Sequence, residues 1–161
     1  MIKKIIIAIA FVTGLLSCNK TKPAFKYSQD IVAIERSLHA GIDSTEKKVE
    51  RYMDAGRYDS IVSASTAMES LFQEKIDLIN KMPVPQAKGV NEFKGAVMRY
   101  FEFLKSKYTA YKKWGAASTE DERTKELESI RVILNNVDAE IGKMQQSQRQ
   151  YAKLNGFRIK K

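Results

Sequence analysis

The stretch that decides the fold is residues 120–155, EDERTKELESIRVILNNVDAEIGKMQQSQRQYAKLN. Within it Leu127, Ile130, Leu134, Val137, Ile141, Met144, Gln148 and Tyr151 recur in strict steps of three and four, the spacing that lines one face of an α-helix. Gln148 is the one polar member of this seam. Ser118 or Thr119 supplies an oxygen for the first free amides, and Glu120, Asp121 and Glu122 sit at the positive end of the helix dipole. At the far end Asn155-Gly156 offers a left-handed turn, after which Phe157 folds back toward the apolar side. A long helix with one apolar face must bury that face against other elements. Leu134 and Ile141 lie mid-seam, so Ala at either is expected to cost about 2–5 kcal/mol.

Three further helices precede it. Ser28 is read as the N-cap of the first, with Asp30 in its opening turn and an apolar stripe of Ile31, Ile34, Leu38, Ile42, Thr45 and Val49. Ala55-Gly56-Arg57 breaks it. The second runs from about Asp59 through Ile61, Met68, Phe72, Ile76 and Ile79 until Pro83 and Pro85 stop the hydrogen-bond ladder. The third begins near Asn91, carries Phe93, Val97, Tyr100, Phe101, Leu104, Tyr108 and Tyr111, and ends near Gly115. With three prolines and eight glycines in 161 residues, the chain lacks the turn density of an all-β fold. Short links between four helices lead us to expect an all-α domain over residues 28–161, an antiparallel up-down-up-down four-helix bundle.

The first residues read as an address. Lys3 and Lys4 precede the apolar run from Ile5, which is too short to span a bilayer as a helix of about 20 residues. Leu15-Leu16-Ser17-Cys18 resembles the lipobox of bacterial lipoproteins. The resemblance implies a signal peptide at 1–17, cleavage after Ser17, and lipid on both the sulfur and the new amino group of Cys18. Cys18 is the only cysteine, so disulfides within the chain are excluded. Residues 18–27, polar and containing Pro23, are read as the lipidated cysteine and a tether. Two or more acyl chains hold a protein stably on a membrane. Asn19 in place of Asp favours, by the same resemblance, the outer membrane, and the lack of acids after Cys18 favours its periplasmic face. The segments Ile76–Pro83, Phe93–Leu104 and Tyr151–Arg158 also resemble a group of small helical-bundle surface lipoproteins of spirochaetes and Bacteroidetes-type bacteria. That likeness implies an envelope lipoprotein without an assigned activity.

One histidine and one cysteine exclude metal centres and catalytic sets that need several of either. Glu35 and His39 stand four apart on the first helix, yet a di-iron bundle needs two such pairs and two more glutamates. The covalent haem motif is absent, as are phosphate-binding glycine loops and nucleophile elbows. We therefore expect no metal, no cofactor and no catalysis. Two alternatives stay open: a small-ligand or haem carrier using the bundle core, with His39 and a methionine such as Met53, Met68 or Met144, and an enzyme of unrecognised type.

The aromatics of the third helix spread over about 160°, wider than the roughly 100° a core stripe needs. Phe101, Phe103, Lys105 and Trp114 are accordingly a candidate surface for an acidic envelope partner. Lys94, Arg99, Lys107, Lys112 and Lys113 are read as the rest of a basic outer side. No acid follows Glu140, which makes Lys153, Arg158, Lys160 and Lys161 a candidate contact for a polyanion such as anionic lipid. Nucleic acid is excluded as a partner because the leader sends the chain away from it.

Overall fold

Thr119 is the residue that opens the last helix. Its hydroxyl accepts from the Glu122 N–H at 3.2 Å while the Glu122 carboxylate accepts from the N–H groups of Ser118 and Thr119, a reciprocal cap that satisfies amides the helix itself leaves free. A computed structural model of the chain describes Val12–Thr13 and residues 21–159. In chain order these are β1 (Val12–Thr13), α1 (Thr21–Arg36), α2 (His39–Asp54), α3 (Tyr58–Lys81), α4 (Val90–Ala116), α5 (Glu120–Leu154) and β2 (Arg158–Ile159). The two-residue strands pair antiparallel, Val12 opposite Ile159 and Thr13 opposite Arg158. α1 and α2 form one arm interrupted at Ser37–Leu38, so the described residues hold four helical arms, and neighbouring arms pack on each other. The class is all-α.

The arms end where the turn chemistry said they would. Gly56 and Gly156 both take positive φ, +63° and +73°, and past Gly156 the Phe157 N–H donates to Ala152 at 3.1 Å as its ring enters the core. Inside, α4 is the central element. Phe72 of α3 stacks on Tyr108 at 5.6 Å and meets Phe101 edge-on at 6.3 Å. Tyr151 of α5 stacks on Phe93 at 4.8 Å. Gly115 lets α4 come close to α3, since a Cβ there would lie 3.0 Å from the Tyr58 carbonyl.

Two expectations about the first arm are corrected. Residues 21–27 are no tether but the first two turns of α1. Pro23 sits where a helix has no use for its missing N–H, and Ala24 and Tyr27 are buried, Tyr27 against Phe93 and Tyr151. Ser28 is consequently an interior residue, fully buried, and not a cap. The arm then breaks at Ser37–Leu38, which no glycine or proline announced. Ser37 turns its hydroxyl back onto the Ile34 carbonyl at 2.6 Å, competition with the backbone that bends helices. The expected start of the domain at residue 28 therefore moves to Thr21; residues 18–20 lie outside the described residues, as does the expected cleavage site after Ser17.

The α5 seam is also narrower than its heptads suggest. Ile130, Val137, Met144 and Tyr151 are buried, Gln148 with them, whereas Leu127, Leu134 and Ile141 are only half-buried. A row seven residues apart goes into α4 and the adjoining row lies on the margin. We therefore expect Phe72→Ala to cost about 3–5 kcal/mol and Leu134→Ala clearly less, about 1–2 kcal/mol, in urea unfolding. Equal losses would place both side chains in the core.

Candidate functional site

Two regions concentrate charge, one inside the domain and one at its end. The interior set begins with stripe positions occupied by acids. Along the first arm Ile31, Glu35, Leu38, Ile42, Glu46 and Val49 follow steps of three and four, so Glu35 and Glu46 face inward among apolar neighbours. Glu35 is 1% exposed and neither carboxylate oxygen has a hydrogen-bonding partner among the described residues. The side chain that reaches it is His39, one turn on, its Nε2 3.4 Å from Oε1 and its side chain 40% exposed. Burial pushes the Glu35 carboxyl up to about 7, against the opposing pull of His39 and of the Arg36 charge. Tyr100 of α4 lies close enough for its hydroxyl, itself buried, to be pushed up first by desolvation and then by the Glu35 charge.

Three turns further along, Glu46 meets Lys107 of α4 at 2.7 Å. Lys107 is 1% exposed, and desolvation lowers its ammonium against the support of that ion pair. The Tyr111 hydroxyl donates to the other Glu46 oxygen at 3.3 Å, and the Lys107 ammonium lies 4.8 Å from the centre of the Tyr108 ring. The expectation that Lys107 belongs to the basic outer side is thus corrected. Tyr100, Leu104, Lys107 and Tyr111 keep the three-four step of the α4 stripe, and that spacing was the available signal. A pair desolvated this far costs heavily if one partner is removed alone.

The proposed aromatic partner surface does not assemble. Phe101 is 0% exposed, held between Phe72 and Tyr100, because its position in the α4 stripe outranks its place at the edge of the aromatic arc. Phe103 and Trp114 are half-buried against the core, Trp114 edge-on to Tyr58 at 5.4 Å. Lys105 is drawn onto Glu102 at 2.6 Å and onto Gln73 at 2.7 Å. Of the basic set, Lys153 and Arg158 are brought together, with Arg149, in the lining of an open pocket of about 480 Å³ that Ala152, Phe157 and Ile159 also line. Lys160, Lys161 and Cys18 lie outside the described residues. Among the described residues no group of three or more His, Cys, Asp or Glu is placed to hold a metal ion, and no helix is long and apolar enough to cross a membrane. Compared with family models, curated proteins and solved structures, the chain has no match in any of the three.

Glu35 gives the interior site a measurable signature. Its folded carboxyl holds a proton more tightly than the ordinary 4.5, so the stability it contributes is complete below about pH 4.5 and is lost as the pH rises to about 7. The loss should reach about 3 kcal/mol. Glu35→Gln, which mimics the protonated carboxyl, should match the wild type at low pH and exceed it in urea unfolding at pH 8. Parallel pH profiles for the two proteins would show that Glu35 titrates normally.

Proposed function

We propose that this chain is a lipid-anchored protein of the bacterial cell envelope whose helical domain binds or scaffolds a partner without catalysis. The lipobox resemblance at Leu15–Cys18 carries the anchor, and the position of α1 supports it. Thr21 follows Cys18 by three residues and is itself buried, close to Gly156. The chain would thus pass directly from lipid into the packed domain. Cleavage after Ser17 would remove β1 and leave that packing intact, because Phe25 meets Phe157 at 5.6 Å and Tyr27 meets Tyr151 at 6.5 Å independently of the leader. The outer membrane and its periplasmic face are the address that Asn19 and the missing acids favour.

The up-down-up-down arrangement belongs to the same proposal. Lys94 at the start of α4 donates to the Asn80 carbonyl at the end of α3, and Gly115 near the end of α4 abuts Tyr58 at the start of α3. Tyr151 near the end of α5 stacks on Phe93 near the start of α4. The pairs Tyr27–Phe93 and Glu46–Lys107 run the first arm alongside α4 in the same direction, as diagonal members of such a bundle do.

A second reading has the core carrying a small ligand, for which Glu35 and His39 offer a buried carboxylate and a partly exposed imidazole 3.4 Å apart. Purified protein that is coloured or carries a mass adduct would favour it. For the anchor, Cys18→Ala removes the only sulfur that can form the thioether. Metabolic labelling with a palmitate analogue should mark the wild type and leave the variant unlabelled and unprocessed. Equal labelling of the two would defeat the proposal.

A further inference from the structure

We infer that the end of the molecule formed by the start of α1, the α3–α4 loop and the close of α5 docks on an anionic bilayer surface, with the helices standing away from it. This rests on the lipid-anchored reading and names the surface that the anchor brings to the membrane.

Four observations converge on that end. First, the anchor is there: three residues from Cys18 to Thr21 span at most about 11 Å, and Thr21 neighbours Gly156. Second, the charge is there. Lys22, Lys88, Arg149, Lys153 and Arg158 are all exposed, and the Asn155 side chain holds the α3–α4 loop to the close of α5, accepting from the Lys88 N–H at 3.2 Å and donating to the Lys88 carbonyl at 2.8 Å. Of the nearby acids, Asp30 is taken up by Lys26 at 2.7 Å and Asp77 accepts from Gln73 at 2.9 Å, which leaves Glu92. At the opposite end the exposed acids Asp54, Asp59, Glu120 and Asp121 stand among the exposed cations Arg51, Arg57 and Lys113, so the excess of positive charge lies toward the anchor. Third, Leu154 and Val84, each 45% exposed, stand on this end among the cations, the mixture of apolar and basic side chains that a headgroup layer accepts. Fourth, the open pocket at this end is lined by Arg149, Lys153 and Arg158 together with the apolar Ala152, Phe157 and Ile159, cations for a phosphate beside apolar surface for the first carbons of a lipid chain.

An acidic folded partner at this face is disfavoured by the same geometry. A gap of about 11 Å is roughly one helix diameter, so the tethered end meets headgroups before anything folded can enter.

The test uses the acylated protein reconstituted into vesicles. Because Cys18 is consumed by lipid, Leu154→Cys and Ser118→Cys each supply a single free thiol for an environment-sensitive fluorophore. The label at 154 should be quenched by doxyl lipids in phosphatidylglycerol vesicles and much less in phosphatidylcholine vesicles. The label at 118, at the opposite end of a 35-residue helix, should be quenched in neither. Raising the salt toward 1 M, where charges act over only about 3 Å, should abolish the difference. In the Lys153→Gln/Arg158→Gln variant the ratio of docked to undocked protein should fall about fivefold for each charge removed, with an unchanged melting temperature. Equal quenching at 154 in the two vesicle types, or none, would overturn docking while leaving the anchor standing. Protein that lacks acyl mass on Cys18 and fails to co-sediment with neutral vesicles would overturn both.

Discussion

The contact on which the rest of the molecule depends is the aromatic clamp at one end of the bundle. Tyr151 sits at its centre, stacked on Phe93, edge-on to Phe157 at 5.8 Å and in reach of Tyr27. Large rings fully withdrawn from water contribute both area and geometry-specific contact, and here they come from α1, α4, α5 and the segment after Gly156. The clamp therefore fixes at once where the chain enters the domain and where it leaves. It converts residues 21–27 from a flexible lead into structure, and it gathers the exposed cations of Lys153, Arg158 and Lys88 around the point of entry.

Away from the clamp, the core admits charge. Glu46 and Lys107 neutralise each other, and Tyr111 supplies a further donor, so that site is paired. Glu35 has His39 at 3.4 Å and no hydrogen-bonding partner among the described residues. A buried carboxylate without hydrogen bonds is normally avoided or kept protonated, and Glu35 lies within one turn of the Ser37–Leu38 break, where the arm bends. The domain is in this sense unevenly built: aromatic and closed at one end, polar in the middle.

Much of this was legible in the sequence. The boundaries at Gly56, at Pro83 and Pro85, and at Thr119 follow from turn and cap chemistry that acts within a few residues. The burial of Ile130, Val137, Met144 and Tyr151 follows from the heptad spacing. What escaped depended on partners distant in the chain. Tyr27 reads as part of a polar lead until Phe93 and Tyr151 arrive beside it, and Lys107 reads as solvated until Glu46 is placed opposite. Phe101 and Phe103 show that a wide aromatic arc does not fix exposure, since the neighbours on α3 decide which ring is covered. The half-burial of Leu134 and Ile141 has the same origin, because a seam records that a face is apolar and not how many helices cover it.

This architecture requires α1 to be clamped to the end of α5 from its first turn. Pulsed electron–electron resonance between spin labels at Lys22 and Lys153, both exposed, measures this directly. A single narrow, short distance is the predicted result. A broad distribution reaching long distances, the signature of a free tether ahead of Ser28, would contradict it.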